Sequence, residues 1–135
     1  MSGGEEETIV VNADQVIWRD NPTLEGGKLA VLAGDPTKAG PVVMRFKIPA
    51  NTKHQPHSHP HAEVVTVLNG RIGYGEGEKF NASRGQVGEP GTFAMVPANQ
   101  PHFVWTEDED AVVQVQFVGP FGIKFINPAD DPRNK

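Results

Sequence analysis

The chain has 135 residues, a net charge of −5 and no cysteine, so it is read as one domain that buries a core without disulfides or thiolate metal ligands. Its lysines and arginines are scattered singly, which argues against a nucleic-acid surface. No apolar run approaches the roughly 20 residues of a membrane-spanning helix. The acidic start, residues 1–7, lacks the apolar stretch of a signal peptide and is read as disordered. The compartment is taken as cytoplasmic by default, with the trimmed form of an exported protein left open.

Fifteen glycines and twelve prolines punctuate short apolar runs, a pattern of all-β sandwiches and barrels. Strands are expected at 8–11, 15–18 and 28–33, with Asp20-Asn21-Pro22 as a turn. Residues 42–48 alternate: Val42, Met44, Phe46 and Ile48 face the interior, with Met44 and Phe46 lining a pocket, and Arg45 and Lys47 face out. Residues 64–68 form a strand, and Asn69-Gly70 is read as a hairpin turn into 71–74. The glycine-rich, charged stretch 75–91 is expected to be a long loop with little regular structure. Strands follow at 92–96 and 102–106, then an acidic turn at 107–110, a long strand at 111–118 and a last one at 121–126. The tail 127–135 is expected to lie on the surface or fray. No segment carries a 3.6-residue period.

The chemistry concentrates in His57-Ser58-His59-Pro60-His61-Ala62-Glu63. Residues i and i+2 of a strand point the same way, so His57 and His59 present two imidazoles side by side. Glu63 keeps their parity if the chain stays extended. His102, from a distant strand, closes the set. Nitrogen and carboxylate ligands suit one divalent transition metal, Mn, Fe, Co or Ni ahead of Zn or Cu, and do not suit Ca or Mg. The competing reading is a solvated histidine-rich loop. His54 and His61 are not assigned as ligands, and parity alone does not settle His61.

These residues resemble the cupin family. Its first motif has the form G-x5-H-x-H-x3-E-x6-G, and His57, His59, Glu63 and Gly70 fall on the last four fixed positions. Its second has the form G-x5-P-x-G-x2-H-x3-N, matched by Gly91, Pro97 and His102. Asn51 and Asn99 stand where the family has glycine, and asparagine is the residue that best replaces glycine in a left-handed turn. Thr106 replaces the final asparagine. The resemblance implies a single-domain double-stranded β-helix (jelly-roll) barrel with a mononuclear metal in its mouth.

With His102 facing the metal, parity turns Val104 inward and Phe103 and Trp105 to the other face. Gln114 and Gln116 interrupt an apolar strand and are candidates to point into the pocket. Tyr74 is a candidate proton donor. Cupins include dioxygenases, isomerases, decarboxylases and lyases, so the resemblance implies a metal-dependent enzyme on a small organic substrate without choosing the reaction. The alternative is a non-catalytic metal-binding or sensor cupin; seed-storage-like packing is disfavoured by the short chain. A homodimer is expected, built from sheet edges at 8–18 or 121–126 and exposed aromatics Trp18, Trp105 and Phe121.

Overall fold

The computed structural model describes residues 7–135. It is an antiparallel, two-sheet β structure. In chain order the strands are β1 (Arg19–Asp20), β2 (Lys28–Ala33), β3 (Gly40–Ile48), β4 (Lys53–Ser58), β5 (Glu63–Asn69), β6 (Ile72–Glu76), β7 (Gln86–Gly88), β8 (Phe93–Val96), β9 (His102–Trp105), β10 (Ala111–Gly119) and β11 (Lys124–Phe125). One sheet has the order β1-β2-β3-β10-β5-β8 and the other β11-β4-β9-β6-β7. The chain thus passes repeatedly from sheet to sheet, as a double-stranded β-helix does, and the cupin architecture expected from the motifs is what forms.

Alternation in the two longest strands builds the core. β3 pairs with β10 from Val42↔Phe117 to Ile48↔Ala111. Val42, Met44 and Ile48 are buried, as are Ala111, Val113, Val115 and Phe117 opposite them. Val67 from β5 and Ile72 from β6 complete this layer. A one-residue slip would turn every one of these side chains to solvent, which is why a two-residue period fixes the register.

Several local expectations fail. Residues 8–11 form no strand. At 15–18 there is likewise none: a short 3-10 turn covers Ala13–Gln15, and pairing is confined to the two residues of β1. Asn69-Gly70 is no hairpin, because β5 and β6 lie in different sheets. It is a corner. Gly70 has φ +70°, and a Cβ there would lie 2.1 Å from the Asp110 carbonyl oxygen, so the position demands glycine for both backbone angle and close approach.

The stretch 75–91 is more structured than its composition suggests. It holds the end of β6, a 3-10 turn at Ala82–Arg84 and all of β7. Its Phe80 packs on Phe103 and edge-on to Trp105. Trp105 is therefore covered by its own chain and is not an exposed interface residue. The 121–126 stretch is also used internally, since β11 pairs with β4. The tail is docked, not frayed: buried Asp131 accepts from Arg133, whose guanidinium also donates to the Ile123 carbonyl. The reading of residues 1–7 as disordered lies, up to Glu6, outside the described residues.

Candidate metal centre

The cluster gathers groups from both sheets at one wall of an internal cavity. His57 sits on β4 opposite His102 on β9. Glu63 opens β5 in the other sheet, opposite Phe117 of β10 and Val96 of β8. His59 lies in the connection between β4 and β5. Simple parity from His59 to Glu63 therefore has the wrong basis. The chain crosses between sheets in that interval, and Glu63 meets the histidines from across the barrel.

Backbone carbonyls hold each imidazole. His57 Nδ1 lies 2.6 Å from the Gln55 oxygen, His59 Nδ1 2.7 Å from that of Gly122, and His102 Nδ1 2.8 Å from that of Gln100. A carbonyl only accepts, so each Nδ1 carries the proton and each Nε2 keeps its lone pair. One ligand atom from each of the three histidines lies within 4.8 Å of the others. Locking the tautomer through the remote nitrogen is how metal-ligating histidines are oriented.

One of these carbonyls, that of Gln100, follows Asn99, which with Asn51 stands at a glycine position of the motifs. Asn51 and Asn99 have φ of 55° and 63°, in the left-handed region. The Asn99 N–H donates to the His59 carbonyl at 2.7 Å, so one turn braces His59 and, through Gln100, His102. Thr106, at the other departure, donates to the Pro49 carbonyl and accepts from the Thr52 N–H.

Glu63 stands at the edge of the trio. It is outside the common 4.8 Å grouping of the three histidines, yet its Oε1 is 3.6 Å from His59 Nε2, with both side chains about a tenth exposed. Burial without a cation pushes its carboxyl up to about 8. Burial works on the histidines in the opposite sense. It lowers His59 to about 4, with His102 adding repulsion, and takes His57 well below and His102 below the ordinary value. The metal-free cluster is thus neutral near pH 7: three bare imidazole nitrogens beside a protonated carboxyl. That donor set fits a divalent transition ion, which needs neutral imidazole and takes carboxylate after proton loss.

The cavity has a volume of about 370 Å³, with Phe46, Val65, Val104, Val115 and Phe121 among its apolar walls. Of the other expected lining residues, Tyr74 is present; it stacks on His102 and donates its hydroxyl to Glu76 Oε2 at 2.9 Å. Met44, Gln114 and Gln116 are not. Met44 is sealed in the core. Gln114 and Gln116 alternate with the buried Val113, Val115 and Phe117 and so face out, where Gln114 accepts from Arg45 Nε at 3.0 Å and Gln116 is exposed.

His54, Asn21 and Thr23 are among the cavity residues that the sequence reading did not place there. His54 stacks on His57, ring centroids 4.1 Å apart. Residues three apart should face opposite ways, but the β4–β9 register shifts between His54 and His57 and brings both inside. The signal was Pro56, since a proline inside a central strand marks a bulge. Buried Asn21 and Thr23, linked by a 2.8 Å hydrogen bond, line the cavity from the β1–β2 connection; nothing in their spacing announces it.

No curated protein matches the chain. Among solved structures, the polyketide cyclase RemF from Streptomyces resistomycificus is similar with a TM-score of 0.77, 19% identity, and coverage of 95% of this chain and 92% of that one. KdgF from Halomonas sp. gives 0.63 at 19% identity, over 80% and 92%. A predicted oxalate decarboxylase from Thermotoga maritima gives 0.65 at 16%, over 82% and 98%. At these identities the likeness is one of fold. Residues 6–121 match the family model of the ChrR cupin-like domain, and the chain belongs to that family of the cupin superfamily.

Proposed function

We propose that this protein is a mononuclear metal enzyme acting on a small organic substrate, with one divalent ion held by His57, His59, Glu63 and His102. The observation that carries the reading is the set of three imidazoles on the wall of an apolar cavity, each with Nδ1 pinned to a backbone carbonyl and one ligand atom of each within 4.8 Å of the others. Such an ion supplies Lewis-acid polarisation of a substrate oxygen or a centre for dioxygen. The chain's own residues do the rest. The three Nε2 lone pairs and the Glu63 carboxylate fix the site, and the apolar walls around the buried ligands lower the local dielectric, which strengthens electrostatic contacts there. Enzymes of several reaction types share the barrel, a polyketide cyclase and a predicted oxalate decarboxylase among them, which supports catalysis without choosing the step.

A second reading, a metal-binding sensor without turnover, has one observation in its favour. Beyond the four proposed ligands, the titratable side chains of the cavity are His54 and Tyr74, and the Tyr74 hydroxyl is engaged by Glu76. No acid–base pair is left over.

Elemental analysis of untagged protein, joined to oxygen uptake and turnover on 1,3-diketones, phenols and keto acids, decides between them. Iron with oxygen uptake, or zinc or nickel with turnover, supports the enzyme. A full equivalent of metal with no turnover supports the sensor. Protein that takes up no stoichiometric metal overturns both.

A further inference from the structure

The cavity is nearly devoid of charge, and strand parity makes it so. Among the described residues no lysine or arginine lines it. The cations on the strands that build it all face out. Arg45 is bonded to Gln114, Lys47 sits 4.7 Å over the Trp18 ring, and Lys53 lies 4.9 Å over that of Phe80. Arg71 faces the acidic turn at Glu107 and Asp108. What faces inward is aliphatic and aromatic. Phe121 sets its ring 5.6 Å from His59 and 6.4 Å from Phe46, so an aromatic wall stands directly beside the histidines. Away from the histidines and Glu63, polar lining is neutral, chiefly Asn21 and Thr23.

We propose that this cavity selects a ring-bearing, largely apolar molecule that is uncharged in solution and binds through an enol or phenol oxygen at the histidine cluster, and that it discriminates against compact dianions. The substrate class rests on the metal reading above, and the selectivity follows from two physical terms. The first is charge. A divalent ion with one carboxylate ligand would keep a single positive charge, which one enolate or phenolate oxygen balances once the neutral enol or phenol has released its proton to solvent. A dianion leaves an excess negative charge in an apolar cavity with no cationic side chain to meet it, and burying an unpaired charge is costly. The second is shape. At about 370 Å³ the space falls in the range of small-molecule sites that bury most of their ligand. Apolar walls reward a ligand that covers them, since stabilisation scales with the apolar area removed from water.

The test uses the full chain and two probes: 2,3-dihydroxynaphthalene, a neutral aromatic diol, and oxalate, a compact dianion. Binding is followed by methyl NMR shifts at Val65, Val104 and Val115 and by calorimetry, with metal-free and zinc-loaded protein. The diol is expected to shift these methyls in both forms and to bind the zinc form about tenfold or more tighter than oxalate does. Equal or tighter binding of oxalate to the zinc form overturns the proposal, as does a diol that shifts no cavity methyl in either form. If zinc fails to load, the metal reading falls, and the metal-free arm still decides the apolar selectivity. Phe121→Arg places a guanidinium against the cluster and should narrow or reverse the preference for the diol. An unchanged preference in folded Phe121→Arg also counts against the proposal, and if that variant does not fold, the wild-type arms stand alone.

Discussion

The imidazoles of His54 and His57 lie face to face, 4.1 Å between centroids and 29° between planes. His57 is anchored through Nδ1, whereas His54 Nε2 is buried with no hydrogen-bond partner. Burial lowers His54 to about 3, with His59 and His102 adding to the effect, so its ring is neutral at ordinary pH. Stacking is the contact it makes with the cluster, and an orphaned buried nitrogen costs about 1–3 kcal/mol. His54→Phe keeps the stack and removes the orphan, so metal-free stability should be unchanged or raised. His54→Ala opens a hole beside His57 and should cost roughly 1–3 kcal/mol. Urea unfolding of both variants checks this; equal losses would show that the ring's nitrogen, and not its stacking, matters.

Loss of a proposed ligand should empty the site and spare the fold, because the core of β3, β5 and β10 is apolar and independent of metal. His59→Ala should weaken metal binding by more than about 100-fold, the upper end of what removing an outer-shell partner costs. His61→Ala should leave affinity unchanged, since His61 borders neither cluster nor cavity. Competition titration with a chelator measures both, and circular dichroism reports the fold.

Metal-free stability should pass through a maximum in pH. His54 and His59 titrate at about 3 and about 4 when folded, against 6.5 ordinarily. The unfolded chain then binds more protons below 6.5, and stability is lost as pH falls from there towards the folded values. Glu63 acts oppositely. Its folded value of about 8 exceeds the ordinary 4.5, so its contribution is full below 4.5 and lost as pH rises through about 8. Denaturation should show a rise up to about pH 6.5, where the histidine contribution is complete, a decline from there to about 8 and a plateau above it, and Glu63→Gln should abolish the decline alone. A decline that persists in Glu63→Gln would contradict the neutral-carboxyl reading.

The same carboxyl ties metal uptake to proton release. Near pH 7 Glu63 is protonated and the histidines are not, so binding a divalent ion should expel about one proton. Calorimetry in buffers of different ionisation enthalpy reads that number directly. Release near zero would mean that Glu63 stays protonated and does not ligate.

We also expect a homodimer, though not through residues 8–18, residues 121–126 or Trp105. Residues 8–18 add no strand longer than a turn, 121–126 is spent on β4, and Trp105 is covered. Among the described residues the sheet edge with the most exposed large apolar side chains is β8, where Phe93 and Met95 are 60% and 65% exposed, and unpaired edges are managed by pairing or cover. Light scattering should give a mass near twice 14.6 kDa, and Phe93→Ser with Met95→Ser should halve it. A monomeric wild type would end the expectation.

The chain itself determined the all-β class, the inward faces of its long strands and the four candidate ligands, and its cupin motifs implied the barrel. Alternation at Val42 to Ile48 and Ala111 to Phe117 is local and has one satisfactory orientation, apolar side in. The histidines and Glu63 stand at fixed spacings that could be read before any contact was known. Other features depend on what a second strand does. Gln114 and Gln116 fit a pocket or an outer face equally well by pattern, and only the burial of their neighbours Val113, Val115 and Phe117 turns them out. Asn69-Gly70 has the residues of a hairpin, and the backbone of Asp110, forty residues away in the chain, makes it a corner between sheets. His54 enters the site because the β4–β9 register shifts between His54 and His57, and Asn21 and Thr23 enter because a distant connection lines the cavity. Periodicity and turn propensity act over a few neighbouring residues, whereas the choice of sheet, a shift of register and the lining of a cavity are decided by pairing between segments far apart in the chain.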